Sequence, residues 1–153
     1  MYNNKKKIKI LIISSCGGHL TEILDLKNSY INYDYLFCIN KKISLSKYLA
    51  GKTIFIKHSE RDLWSLFNFF EAFKILILHK PKILISTGAG PALIFAIVNK
   101  LINKSKFIYI ETLASINKPS LTGRLIYHLV DHFIIRWKNL YKFFPKATLI
   151  ERF

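Results

Sequence analysis

Ile8-Lys9-Ile10-Leu11-Ile12-Ile13-Ser14-Ser15-Cys16-Gly17-Gly18-His19-Leu20 is a short apolar run that breaks at two glycines and passes into a helix-like stretch. Ile83-Leu84-Ile85-Ser86-Thr87-Gly88-Ala89-Gly90-Pro91 repeats the design. Such runs read as buried strands, and each glycine turn feeds a crossover helix. The rest of the chain alternates in the same way. Strands are expected over 8–14, 33–39, 53–56, 83–86, 106–110 and 132–136. Helices are expected over 20–29, 45–49, 62–79, 91–103, 121–130 and 139–144. The pattern is α/β: a Rossmann-like parallel sheet with helices on both faces. Right-handed crossovers bring the ends of strands one, four and five to one edge, and the order 3-2-1-4-5 sets strands one and four side by side where the direction reverses. The two glycine turns then face each other across a crevice.

The 153 residues are read as one domain, 1–153, with no linker, repeat or low-complexity segment. Hydrophobic residues make up 51%, yet no run reaches the roughly 18 apolar residues of a bilayer span, so no transmembrane helix is expected. Lys5-Lys6-Lys7 before the first apolar run imitates a signal peptide, but Lys9 divides that run and the same residues serve as a strand. Without an export signal, Cys16 and Cys38 are expected to be reduced thiols and the chain cytoplasmic. The net charge of +15 favours a phosphorylated substrate, an anionic membrane surface or nucleic acid, while codon bias toward Lys, Ile and Asn would produce the same excess. No nucleic-acid recognition motif accompanies the charge, and a nucleic-acid partner is not expected.

Gly17 and Gly18 permit positive φ and close backbone approach, and the helix starting near His19 directs free N–H groups outward. A cradle for a phosphate or pyrophosphate and a plain tight turn both fit. Thr87, Gly88 and Gly90 repeat the device, with Pro91 at a first helical position. A third glycine is missing, and strand two ends in Asn40-Lys41-Lys42 where a ribose-binding carboxylate would stand, so a nicotinamide cofactor is not expected and no cofactor is assigned. Gly51-Lys52-Thr53 imitates the tail of a P-loop, but Ser46 replaces its first glycine and a strand follows. No His and Cys spacing suits a metal. His19, at the mouth of the first loop, can serve as general base toward a sugar hydroxyl, or be an exposed histidine at a helix start. Glu111, closing strand five, can bind a hydroxyl or take a proton, or pair with a lysine or backbone amide. In the helix over 62–79, Leu63, Leu66, Phe67, Phe70, Phe73 and Ile77 form the stripe expected to cover the sheet. Trp64, Phe69 and Ile75 lie off it, leaving surplus aromatic surface that packs inside the domain or serves a membrane interface or a partner groove.

Gly17-Gly18-His19-Leu20-Thr21-Glu22, Thr87-Gly88-Ala89-Gly90-Pro91 and the run from Glu111 through Asn117-Lys118-Pro119-Ser120-Leu121-Thr122-Gly123-Arg124 together resemble a known family. It is that of the membrane-anchor, acceptor-side subunits of two-part UDP-N-acetylglucosamine transferases in dolichol-linked oligosaccharide synthesis. The likeness extends to bacterial relatives in capsule and exopolysaccharide synthesis, including the enhancer subunit of a β-1,4-galactosyltransferase. It extends more weakly to the N-terminal domain of the enzyme that adds N-acetylglucosamine to lipid I. The resemblance implies the N-terminal half of a GT-B glycosyltransferase, inactive alone. Its partners would be a catalytic UDP-sugar-binding subunit and a polyprenyl-diphosphate-linked glycan acceptor. Gly17, Gly18 and His19 would lie nearest the acceptor, with Thr87, Gly88 and Gly90 as the opposite lip. Glu111, Asn117, Ser120, Thr122 and Arg124 would border the cleft between lobes. Eukaryotic members begin with a transmembrane helix where this chain has Lys5, Lys6 and Lys7, so peripheral contact with the cytoplasmic face of the membrane is expected, through these lysines, Trp64 and Phe69.

Overall fold

The computed structural model describes residues 10–40, 49, 52–56, 65–88, 90–102 and 105–150, and only the backbone of 65–67. Its elements run β1 (Ile10–Ser14), α1 (Gly18–Asp25), α2 (Lys27–Tyr30), β2 (Tyr35–Asn40), β3 (Thr53–Ile56) and α3 (Ser65–His79). They continue with β4 (Ile83–Ser86), α4 (Gly90–Ile102), β5 (Lys106–Ile110), α5 (Leu121–Ile126), β6 (His132–Ile135), a 3₁₀ turn (Lys138–Lys142) and β7 (Thr148–Leu149). The strands form one seven-stranded sheet in the order β3-β2-β1-β4-β5-β6-β7, every pair parallel. β1 lies inside the sheet between β2 and β4, and all five of its residues are buried. An unbroken Ile/Leu run is what a strand covered on both faces requires.

Side chains alternate between two cores. Leu11 and Ile13 of β1, Leu84, Phe107, Tyr109, Phe133 and Ile135 face Ala72 and Leu76 of α3, Ala92, Phe95 and Ala96 of α4, and Ile126 of α5. Ile10 and Ile12, with Phe37 and Ile39 of β2, face Ile23 and Leu26 of α1 and Tyr30 of α2. Tyr30, Tyr35 and Phe37 meet edge to face with ring centroids 5.2–6.1 Å apart.

Four local readings are corrected. The helix expected over 20–29 is two, divided at Leu26. The one expected over 121–130 ends at Ile126. A seventh strand of two residues, too short for an alternation to register, pairs with β6. The fourth concerns α3, which is rotated relative to the expected stripe. Asn68, Ala72, Ile75 and Leu76 are buried and Phe69 packs against the core, whereas Phe70 is 69% exposed and Phe73 is exposed as well. A helix apolar almost all round offers periodicity no unique face. Small Ala72, Ala92 and Ala96, all fully buried where α3 and α4 pack together, decide it by allowing close approach. The surplus aromatic surface is therefore Phe70 and Phe73, and the contact role expected of Phe69 does not fit its position. Trp64, Lys5, Lys6, Lys7 and nearly all of the expected helix over 45–49 lie outside the described residues.

Candidate functional site

The two glycine loops leave β1 and β4, adjacent strands whose chains turn in opposite directions across the sheet. That reversal opens a crevice at the carboxyl edge. Gly17 caps α1 with φ 111°, and Gly88 carries φ 135°, both in the region that side chains disfavour. A Cβ added at Gly17, Gly18 or Gly90 would meet nothing within 4 Å, so these backbones border open space. The starts of α1 and α4 flank that space with amides left free by helix geometry.

Side chains lock the loops together. Thr87 Oγ1 donates to the His19 carbonyl at 2.9 Å. Ser86 Oγ accepts from the Gly88 amide at 3.2 Å. The His19 ring lies against Gly88 so closely that a Cβ there would stand 2.7 Å from Cε1. Its Nδ1 is buried and has no hydrogen-bond partner among the described residues. His19 is therefore wedged between the loops rather than exposed at a helix start. On the other flank, the Cys16 amide donates to Asn40 Oδ1 at 2.9 Å and Cys16 Sγ donates to the Asn40 carbonyl at 3.1 Å. Asn40, notable in the sequence only as the wrong residue for a ribose, is a clamp.

A second group gathers at the end of β5. Glu111 is 1% exposed; its Oε1 accepts from the Ser120 amide at 2.9 Å, and its Oε2 has no partner among the described residues. The carboxylate sits against Gly123, where any Cβ would collide with it. Ser120 caps α5, its Oγ accepting from the Gly123 amide at 2.8 Å. Of the alternatives left open for Glu111, this geometry supplies the backbone amide. Burial, and next the Glu111 charge, push the Tyr109 phenol up from its ordinary pKa. Asn117 Oδ1 accepts from Asn139 Nδ2 at 2.8 Å, Thr122 is partly buried, and Arg124 lies exposed with its guanidinium 5.8 Å from the Phe143 ring centre. Glu22 of α1 joins the two groups: its Oε1 accepts from Thr112 Oγ1 at 2.6 Å and from the Leu113 amide at 3.1 Å. The sequence motifs assign Glu22 and Gly123 no role: Glu22 meets Thr112 from 90 residues away, and Gly123 acts through the side chain it lacks beside Glu111.

Open α/β sheets bind ligands in such crevices, and helix starts favour anions there. Solved structures share the fold. UDP-N-acetylglucosamine 2-epimerase from Rickettsia bellii matches with a TM-score of 0.70 at 11% identity over 94% of this chain and 44% of its own. MurG of Acinetobacter baumannii matches with 0.68 at 12% identity over 93% and 45%. The chain thus spans under half the length of these structures. It is a Rossmann-like lobe of the GT-B type.

The family follows from sequence. Residues 59–153 match the model described as "Oligosaccharide biosynthesis protein Alg14 like", and the chain belongs to that family. The mouse UDP-N-acetylglucosamine transferase subunit ALG14 is 22% identical over 182 residues, covering 97% of this chain and 84% of that protein. No helix among the described residues is long and apolar enough to cross a membrane.

Proposed function

We propose that this chain is the acceptor-side subunit of a two-part UDP-N-acetylglucosamine transferase in lipid-linked oligosaccharide synthesis, or in its capsule and exopolysaccharide counterparts. Membership of the Alg14-like family supports the class, and the wedge of His19 between two anion-friendly loops carries the placement of the acceptor. The diphosphate of a polyprenyl-linked glycan rests on the free amides at Gly17, Gly18 and Gly90. Its sugar hydroxyl then lies at His19. In the transfer step, the hydroxyl loses its proton to His19, its oxygen bonds to the donor sugar's C1, and the bond from C1 to the UDP phosphate breaks, releasing UDP. The UDP-sugar is bound by the partner polypeptide across the cleft bordered by Asn117, Ser120, Thr122 and Arg124. Buried and bonded to the Ser120 amide, Glu111 acts by positioning this border rather than by taking the proton.

Docking on the cytoplasmic face of the membrane falls to the outer side of α3 and α4. Phe70, Phe73 and Leu78 lie exposed on α3, Ile97 and Leu101 on α4, with Lys74 and Lys100 beside them. Apolar side chains ringed by lysines are what an anionic leaflet binds, at about 1 kcal/mol per lysine.

Reconstitution with a UDP-sugar-binding partner is the test. The pair is expected to transfer sugar while neither member does so alone, and His19→Ala should lower turnover about 10²-fold or more. Unchanged turnover in both His19→Ala and Glu111→Ala, without photocrosslinking of an acceptor near Gly18 or Thr87, would leave an activator that never touches substrate.

A further inference from the structure

We propose that Glu22 is a positioning residue for transfer: it fixes the start of α1, and with it the His19 ring, against the end of β5 and the cleft border that follows. The proposal rests on the acceptor-side reading above. His19 and Glu22 stand three residues apart on α1, a spacing that puts them side by side on the helix surface. In the sheet order β1-β4-β5, each reaches a different strand end. The His19 ring lies against Gly88, after β4. Glu22 Oε1 accepts from Thr112 Oγ1 at 2.6 Å and from the Leu113 amide at 3.1 Å, after β5 and 90 residues away in sequence.

These bonds do what the apolar core cannot. Ile23 and Leu26 hold α1 down on the sheet, but burial is non-directional and leaves the turn of the helix about its own axis weakly set. Hydrogen bonds are directional, and those to a charged acceptor are the stronger kind. Thr87 adds one to the His19 carbonyl, and Glu22 adds its two from the opposite side. The turn of α1 decides where the His19 ring points. The anchoring point is itself held: Thr112 follows Glu111, which accepts the Ser120 amide at the cap of α5. Beyond β6, Trp137 Nε1 donates to the Leu113 carbonyl at 2.9 Å and Asn139 Nδ2 to Asn117 Oδ1 at 2.8 Å. Glu22 thus ties α1 to a segment already strapped in place. Half-buried Arg136, at the end of β6, feels the charges of Glu22 and Asp25, so the test separates charge from hydrogen bonding.

The test measures steady-state transfer by the full chain reconstituted with its UDP-sugar-binding partner, with UDP-N-acetylglucosamine as donor and a polyprenyl-diphosphate-linked sugar as acceptor. Glu22→Ala removes both bonds and is expected to lower kcat about 10- to 100-fold, with KM for donor and acceptor changed less than about 3-fold. Glu22→Gln keeps an acceptor oxygen in place and should recover most of that loss. Thr112→Val removes the shorter bond from the other side; it should lower kcat by itself and cost nothing more in the Glu22→Ala background. Asp25→Asn removes a charge near Arg136 and touches neither bond, so kcat should hold. Wild-type kcat in Glu22→Ala overturns the proposal and leaves the two-part reading intact. So does a Glu22→Gln variant as slow as Glu22→Ala, which makes the carboxylate a proton carrier. A loss confined to acceptor KM overturns it by making Glu22 an acceptor contact, and an Asp25→Asn loss equal to that of Glu22→Ala assigns the effect to charge facing Arg136. Should Glu22→Ala prove unfolded by circular dichroism, full kcat in Thr112→Val overturns the proposal in its place. Absence of transfer by the wild-type pair overturns the two-part reading itself.

Discussion

The two faces of the sheet are built from the same kind of strand and finished differently. Under α3, α4 and α5, aromatic rings interlock: Tyr109, Tyr127, Phe133 and Phe144 stack with centroids 4.4–5.0 Å apart. On the other face the described helices α1 and α2 close the β1 and β2 side, and isoleucines further along stay partly open. Both glycine loops grow from the strands where the two conditions meet. Tight packing is thus concentrated on one face, while the other leaves apolar side chains partly exposed.

Truncation of core side chains separates the two faces most strongly. Phe95→Ala, in the closed core, is expected to cost about 3–5 kcal/mol in urea unfolding, and Ile85→Ala, on the partly open face, no more than about 2. Equal losses would mean that the second face is as tightly packed as the first. At the junction of the faces, Gly88→Ala forces a side chain into positive φ and against His19. A loss of about 1–3 kcal/mol is expected, together with reduced transfer by the reconstituted pair. A neutral outcome on both measures would detach the wedge from the site.

Thiols report on the two cores without mutation. Cys38 is wholly buried in the closed core, and burial pushes its thiol up, whereas Cys16 is partly exposed beside Gly17. A thiol reagent should modify one cysteine of the native protein quickly and the second only on unfolding. Prompt reaction of both would show the closed face opening. The smallest effect is electrostatic. Burial pushes Asp131 up, but hydrogen bonds from Lys106 Nζ and the Phe107 amide outweigh it and hold its carboxyl below the ordinary value. A lowered folded-state pKa contributes stability above about pH 4, lost as pH falls through the folded value. Asp131→Asn should therefore lower the melting temperature at neutral pH by a few degrees at most, and by nothing once wild-type Asp131 is protonated. A constant difference down to pH 2 would assign the effect to packing.

How much of this was legible beforehand differs by element. β4 and β5 lie where their apolar runs predicted, and strands one to five take the common doubly wound order. The crevice followed too, because its glycines sit directly after strands. Glu111 was legible as a residue at the sheet edge but not in its direction. Its burial depends on the absence of a side chain at Gly123 and on the Ser120 amide, contacts across a loop that no local pattern encodes. The Glu22 and Asn40 clamps were invisible for the same reason.

Sequence alone determined the parallel sheet, its switch point and the pair of glycine loops, since strand runs and turn glycines act through neighbouring residues. Tertiary structure decided which face of α3 points outward, which way Glu111 turns, and that no described helix covers half of one sheet face. Each of those outcomes is a competition between surfaces distant in the chain, settled by how closely small side chains let them approach.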